Sequence, residues 1–265
     1  MRMYNCKFYI LAVALFLCAC TENDGTVTFE TITTNKTVNL SNDSVPPKCS
    51  VNITLEQATK NSGRAGEIIN SAIIRKLFNR EDEDMQAAAN GFIDEYTSNY
   101  VNTLLPLYNQ DRSDSTKRVW YHYHYIINSR TQKGNKGTLV YIADINYREG
   151  GTHAVNQQIV WNFEEKTGRQ IKYSDIFVDG FEAKLKPILL NALLQNTGLT
   201  SVWDLKQNGY LHSNEIYVPE NFILGDETIT FIFNADEIAP SSVGPTELII
   251  SYREIENLLK LSFEY

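Results

Sequence analysis

The apolar residues of this chain keep a helical period over one long block and a period of two over most of the rest. From Asn61 to about Tyr108, Ile68, Ile69, Ala72, Ile73 and Leu77 form one stripe, with Arg64, Glu67, Arg75 and Lys76 off it. The acidic run Glu81 to Asp84 predicts the start of a second helix carrying Met85, Ala88, Ala89, Phe92, Ile93, Tyr96, Tyr100, Leu104 and Leu107, with Pro106 near its end. Then the period changes. Val119 to Ile127 predicts a strand, Lys133 to Gly137 a hairpin turn, Thr138 to Tyr147 its partner and Val155 to Phe163 a further strand before the turn Lys166 to Arg169. A helix from Phe181 to about Gln195 follows, with Leu185, Ile188, Leu189, Ala192 and Leu193 on its buried face, and Thr200 to Asn208 adds a helical piece. Strands at Ile216 to Leu224, Thr228 to Phe233 and Glu247 to Ser251 precede a closing helix, Arg253 to Leu259. Strands and helices in blocks, without strict alternation, predict an α+β fold in two parts: a helical N-terminal segment with a mainly antiparallel sheet, then a C-terminal α+β domain.

The N-terminus belongs to neither part. Arg2 and Lys7 precede twelve uncharged residues, Phe8 to Ala19, too short to span ~30 Å of hydrocarbon but long enough for a secretory signal. Leu17-Cys18-Ala19-Cys20 resembles the lipobox of bacterial lipoproteins. That predicts a signal peptide over 1–19 and lipidation of Cys20, whose fatty chains anchor the protein to a membrane. Thr21 to Lys48, rich in Thr, Asn, Ser and Asp, is expected to be a polar tether, although Val27 to Ile32 alternates like a strand. The acidic Thr21-Glu22-Asn23-Asp24 resembles the surface-export signal of Bacteroidetes lipoproteins, which places the chain in the cell envelope, on the outer membrane.

Losing Arg2 and Lys7 takes the net charge from −8 to −10, which excludes attraction to nucleic acid or anionic lipid and suits a basic partner. Of four cysteines only Cys49 remains unmodified, so neither an intrachain disulfide nor a thiolate metal cage is available. Cys49 fits a small buried residue better than a nucleophile.

No GxSxG, HExxH or phosphate-cradling glycine loop occurs, so no catalytic residue, cofactor or metal is assigned. In Tyr121-His122-Tyr123-His124-Tyr125 a strand puts both imidazoles on one face and three phenols on the other. Two histidines still need a third ligand to hold a metal; a packed tyrosine face with a polar outer face is the simpler expectation. In Glu149-Gly150-Gly151-Thr152-His153 the glycines permit a tight turn, and Glu149 and His153 can act as acid and base or bind a polar ligand.

Gly150 to His153, Asn162-Phe163, Lys166 to Arg169, Tyr173-Ser174-Asp175-Ile176-Phe177, Asn221-Phe222 and Asp236 to Pro245 follow one another as in the DUF3298 domain, and resemble the extracellular part of the lysozyme-sensing anti-sigma factor V. Residues 49–145 resemble its usual partner, the DUF4163 domain, leaving 146–265 as DUF3298-like. Departures are Thr152 for alanine, Val155 for glycine and Ser241-Ser242 for Tyr-Ala. The resemblance implies a non-catalytic envelope module binding a lysozyme-like protein or a peptidoglycan fragment; alternatives are a wall-glycan enzyme using Glu/His acid–base chemistry and a structural partner in a lipoprotein complex. Ligand candidates are Glu149, Gly150, Gly151, His153, Glu237, Pro240, Ser241 and Gly244, with the two loops expected to lie together.

Overall fold

A computed structural model describes residues 26–81, 84–151, 153–212, 215–263 and 265. The expected signal peptide, Cys20 and Thr152 lie outside them. No described helix is long and apolar enough to cross a membrane.

The fold is α+β. Strands β1 (Phe29–Asn39) and β2 (Lys48–Ala58) form an antiparallel pair, and helices α1 (Gly63–Phe78) and α2 (Met85–Asp111) follow. Strands β3 (Tyr123–Lys133), β4 (Thr138–Glu149), β5 (Val155–Glu164) and the short β6 (Gln170–Ile171) complete a six-stranded sheet in chain order. Only β2 and β3 are parallel, because the two helices between them carry the chain back to the same end of the sheet. Both helices cover one face. The inward residues of β2 (Cys49, Val51, Ile53 and Leu55) are fully buried there, with Tyr141, Ala143 and Ile145 of β4.

The alternation of residues 121–125 is the clearest case of sequence becoming packing. The three phenols point at α2 and meet its own tyrosines: Tyr121 on Tyr108, Tyr123 on Tyr100 and Tyr125 on Tyr96, with ring centroids 5.1–5.2 Å apart. The strand itself begins only at Tyr123; Ser115–Tyr121 is a 3₁₀ helix.

Two expectations are corrected. The tether ends far earlier than Lys48, because residues from Phe29 onward are β1. As an edge strand with one face open to water it needs few apolar residues, so its composition resembles a linker. It is held by β2 and by Thr34–Asn90 and Lys36–Asp94 contacts to α2. The boundary near residue 146 also moves. β4 and β5 pair along their length with each other and with β3, so the first unit runs to β6.

The second unit has its own core, from Ile176 to Leu259. It comprises α3 (Tyr173–Ile176), α4 (Phe181–Thr197), α5 (Val202–Gln207) and an antiparallel sheet of β7 (Asn221–Leu224), β8 (Thr228–Phe233) and β9 (Thr246–Ser251). The closing segment is a 3₁₀ helix, Tyr252–Leu258. On the sheet face away from α1 and α2, Val140, Ile142 and Val160 pack against Ile232 and Ile223 and join the units.

Candidate functional site

The sequence pairs Asn162-Phe163 and Asn221-Phe222 meet where the two sheets abut. Asn162 Nδ2 donates to the Phe222 carbonyl (2.7 Å), and its Oδ1 accepts from Leu224 N (3.0 Å). Reciprocally, Asn221 Nδ2 donates to the Gln158 carbonyl (2.9 Å) and its Oδ1 accepts from Val160 N (3.0 Å). A side-chain amide carries the same donor and acceptor as a peptide group. It therefore continues the hydrogen-bond ladder between β5 and β7, which belong to different sheets. The adjacent phenylalanines fill the two cores, and Phe222 stacks on Tyr173 at 4.4 Å. Arg169 pairs with Glu164 (3.3 Å) and Asp175 (2.9 Å), and Asp175 accepts from Lys172 N (2.7 Å). These family-like residues build a junction.

The glycine pair serves the other end of the sheet. Gly150 and Gly151 both have positive φ, and a Cβ on Gly150 would stand 2.5 Å from the Trp120 carbonyl. The pair seats the 3₁₀ helix of Trp120, whose ring lies over Gly151. His153 is exposed. Glu149 faces α2, where its carboxylate accepts from the Tyr96 hydroxyl (2.9 Å).

In the loop 236–245, Glu237 accepts from Asn234 N (3.0 Å), and Asn234 Oδ1 accepts from Gln158 N (2.6 Å). Glu237 thus braces a third asparagine of the junction. Ser241 hydrogen-bonds Asp236, Pro240 packs beside Gly209, and Gly244 has positive φ. Pro245 borders a small cleft with Asn146 and Asn156. Asn146 and Glu149 are three residues apart on β4, so they point to opposite faces. Glu149 therefore lies on the α2 face, while the loop carrying Glu237 and Pro245 lies on the face covered by the second unit.

The two histidines share the outer face. His124 Nε2 donates to Asn146 Oδ1 (2.8 Å). Burial, and then the charges of Arg148, Lys48 and Arg118, hold the His122 imidazolium pKa below its ordinary value. Cys49 is buried, and its thiol is pushed up to about 11 by burial and the nearby Glu149.

A cleft of about 850 Å³ lies at the junction beside Asn162 and Asn221. Arg75 and Lys76 of α1 border it, together with Lys172 and Glu220, and Lys76 and Glu220 approach to 3.8 Å across it. Three cations to two carboxylates, Glu220 and the Glu81 that pairs with Arg75 at 3.2 Å, still reverse the sign of the chain as a whole. This group carries no signal along the chain, because its members are separated by up to about 145 positions and each stands on an ordinary solvated surface.

Residues 174–253 match the family model DUF3298, a protein of unknown function. The chain is similar to the crystal structure of a DUF3298 family member from Bacteroides fragilis, with 28% identity over 90% of this chain and 96% of that one and a TM-score of 0.83. It also shares the fold of a DUF3298 family protein from Pseudomonas aeruginosa, at 16% identity, 89% and 97% coverage and a TM-score of 0.60. No curated protein matches it. The family match begins inside α3 and ends in the closing 3₁₀ helix, so it falls within the second unit of this chain.

Proposed function

We propose that this chain is a non-catalytic binding module of the bacterial cell envelope, anchored through lipid on Cys20, that takes a carboxylate-bearing peptidoglycan fragment in the junction cleft. The charge-reversed cleft carries this reading. Its volume falls within the ~300–1,000 Å³ usual for small-molecule sites, and Arg75, Lys76 and Lys172 offer charge-assisted hydrogen bonds to carboxylates. A folded lysozyme would instead need about 800 Å² of complementary surface; the acidic net charge favours such a partner in encounter only.

Titration calorimetry with purified muropeptides tests the cleft. The Arg75→Glu/Lys172→Glu double variant is expected to bind at least tenfold more weakly, about 1.4 kcal/mol. Equal affinity, or capture of lysozyme at both low and raised salt without muropeptide binding, would sink the proposal. Muropeptide turnover abolished by Glu149→Gln or Glu237→Gln would make the chain an enzyme. The anchor has a separate check: Cys20→Ser should move the protein from the membrane pellet to the soluble fraction. A wild-type chain already soluble would remove the lipid.

A further inference from the structure

We propose that the pocket between α2 and the C-terminal end of β4 binds an alkylammonium group, with Glu149 as counter-ion, the rings of Tyr96 and Tyr123 as walls and that of Tyr100 as floor. This inference is independent of the junction cleft, which lies elsewhere in the fold.

The pocket holds about 260 Å³ and is lined by these three tyrosines, Leu104 and Glu149. Its construction follows from two periods. Tyr96 and Tyr100 are four residues apart on α2 and so share one helix face, while Tyr123 and Glu149 are register partners on β3 and β4. Glu149 is exposed and accepts one hydrogen bond, from Tyr96. Among the described residues no lysine or arginine nitrogen lies within 4 Å of it, whereas nine other described carboxylates have such a partner. The Tyr100 hydroxyl donates to the Tyr121 carbonyl at 2.8 Å, and its buried ring packs on Tyr123 as the floor of the pocket, leaving the half-buried Tyr96 and Tyr123 as the accessible walls. Burial, and then the charge of Glu149, raise the Tyr96 and Tyr123 phenols above their ordinary pKa, so the walls stay neutral at physiological pH.

Neutral phenol rings around one uncompensated carboxylate select by charge and shape. An anion is repelled by Glu149, and a neutral apolar group gains nothing from it. An alkylammonium satisfies the carboxylate and is also attracted by the ring quadrupoles. Glu149 is exposed at the Tyr123 and Cys49 end of the sheet, where the pocket opens. The cation can be a free amine or a lysine side chain of a basic protein.

The test uses the full chain carrying Cys20→Ser, with n-butylammonium, tetramethylammonium and neutral n-butanol as probes at constant ionic strength and tyrosine ring resonances as the signal. Both cations should saturate in the millimolar range and butanol should not. Glu149→Gln should weaken them about tenfold, with Glu149→Asp falling between and Tyr96→Phe, which keeps the ring, retaining binding. An oligolysine peptide displacing butylammonium at much lower concentration identifies a protein side chain as the source; an equal concentration identifies a free amine. Butanol binding as tightly as butylammonium, no saturation up to roughly 100 mM, or Glu149→Gln binding unchanged with wild-type Tm would overturn the proposal.

Discussion

Replacing Asn162 with alanine is expected to destabilise the protein by roughly 2–4 kcal/mol and to loosen the second unit from the first. The side chain is 1% exposed and satisfies one carbonyl and one N–H of β7, at Phe222 and Leu224. Alanine leaves both backbone groups at a buried edge without partners, at about 1–3 kcal/mol each, offset where water enters from the neighbouring cleft. Asn162→Asp should fare no better at neutral pH, since its carboxylate lacks the N–H that the Phe222 carbonyl accepts. Urea unfolding gives the magnitude. Combining Asn162→Ala with Asn221→Ala should cost less than the sum of the two, because the pairs close the same seam. Strict additivity, or a loss below 1 kcal/mol, would show that the asparagine exchange does not hold the units together.

Gly168→Ala should cost about 3 kcal/mol or more. Gly168 has φ +71°, and a Cβ there would stand 2.2 Å from the Ala65 carbonyl at the start of α1. Left-handed backbone alone costs a residue with a side chain roughly 1–2 kcal/mol. The remainder comes from backbone meeting backbone, which no rotamer change relieves. Gly198 is the internal control: it has φ +69° but open space around it, so Gly198→Ala should cost only the conformational part. If thermal melts place both variants at the same Tm, the contact between the β5–β6 turn and α1 carries no stability. The comparison matters for function as well, because this turn sets the angle of Arg169 and the position of Lys172 beside the junction cleft.

What could be foreseen and what could not divides along a physical line. Helices α1 and α2 were legible because a buried stripe must recur at 3.6 residues. β8 was legible end to end, since Thr228 to Phe233 is bounded on both sides by polar residues and turns. β1 was hidden because an edge strand open to water is not obliged to be apolar, and its threonines and asparagines look the same in a tether. The domain boundary was hidden for a related reason. β4 and β5 show the same alternation whichever sheet they join, and only their pairing with β3 decides it.

For the sites, the residues that resemble the family stood out, but their roles did not. Glu237 looked like a presented acid, yet it braces Asn234; the glycine pair looked like a ligand loop, yet it seats Trp120. The residues that now carry functional proposals lie on ordinary periodic segments: Arg75 and Lys76 on the wet side of α1, Tyr96 and Tyr100 on the stripe of α2. Periodicity along the chain therefore determined the class of fold, the helices and most of the strands, because each depends on neighbours a few residues away. Tertiary structure alone decided which strands share a sheet, which asparagines join the units and which charges face one cleft, because those depend on groups brought together from as far apart as Arg75 and Glu220.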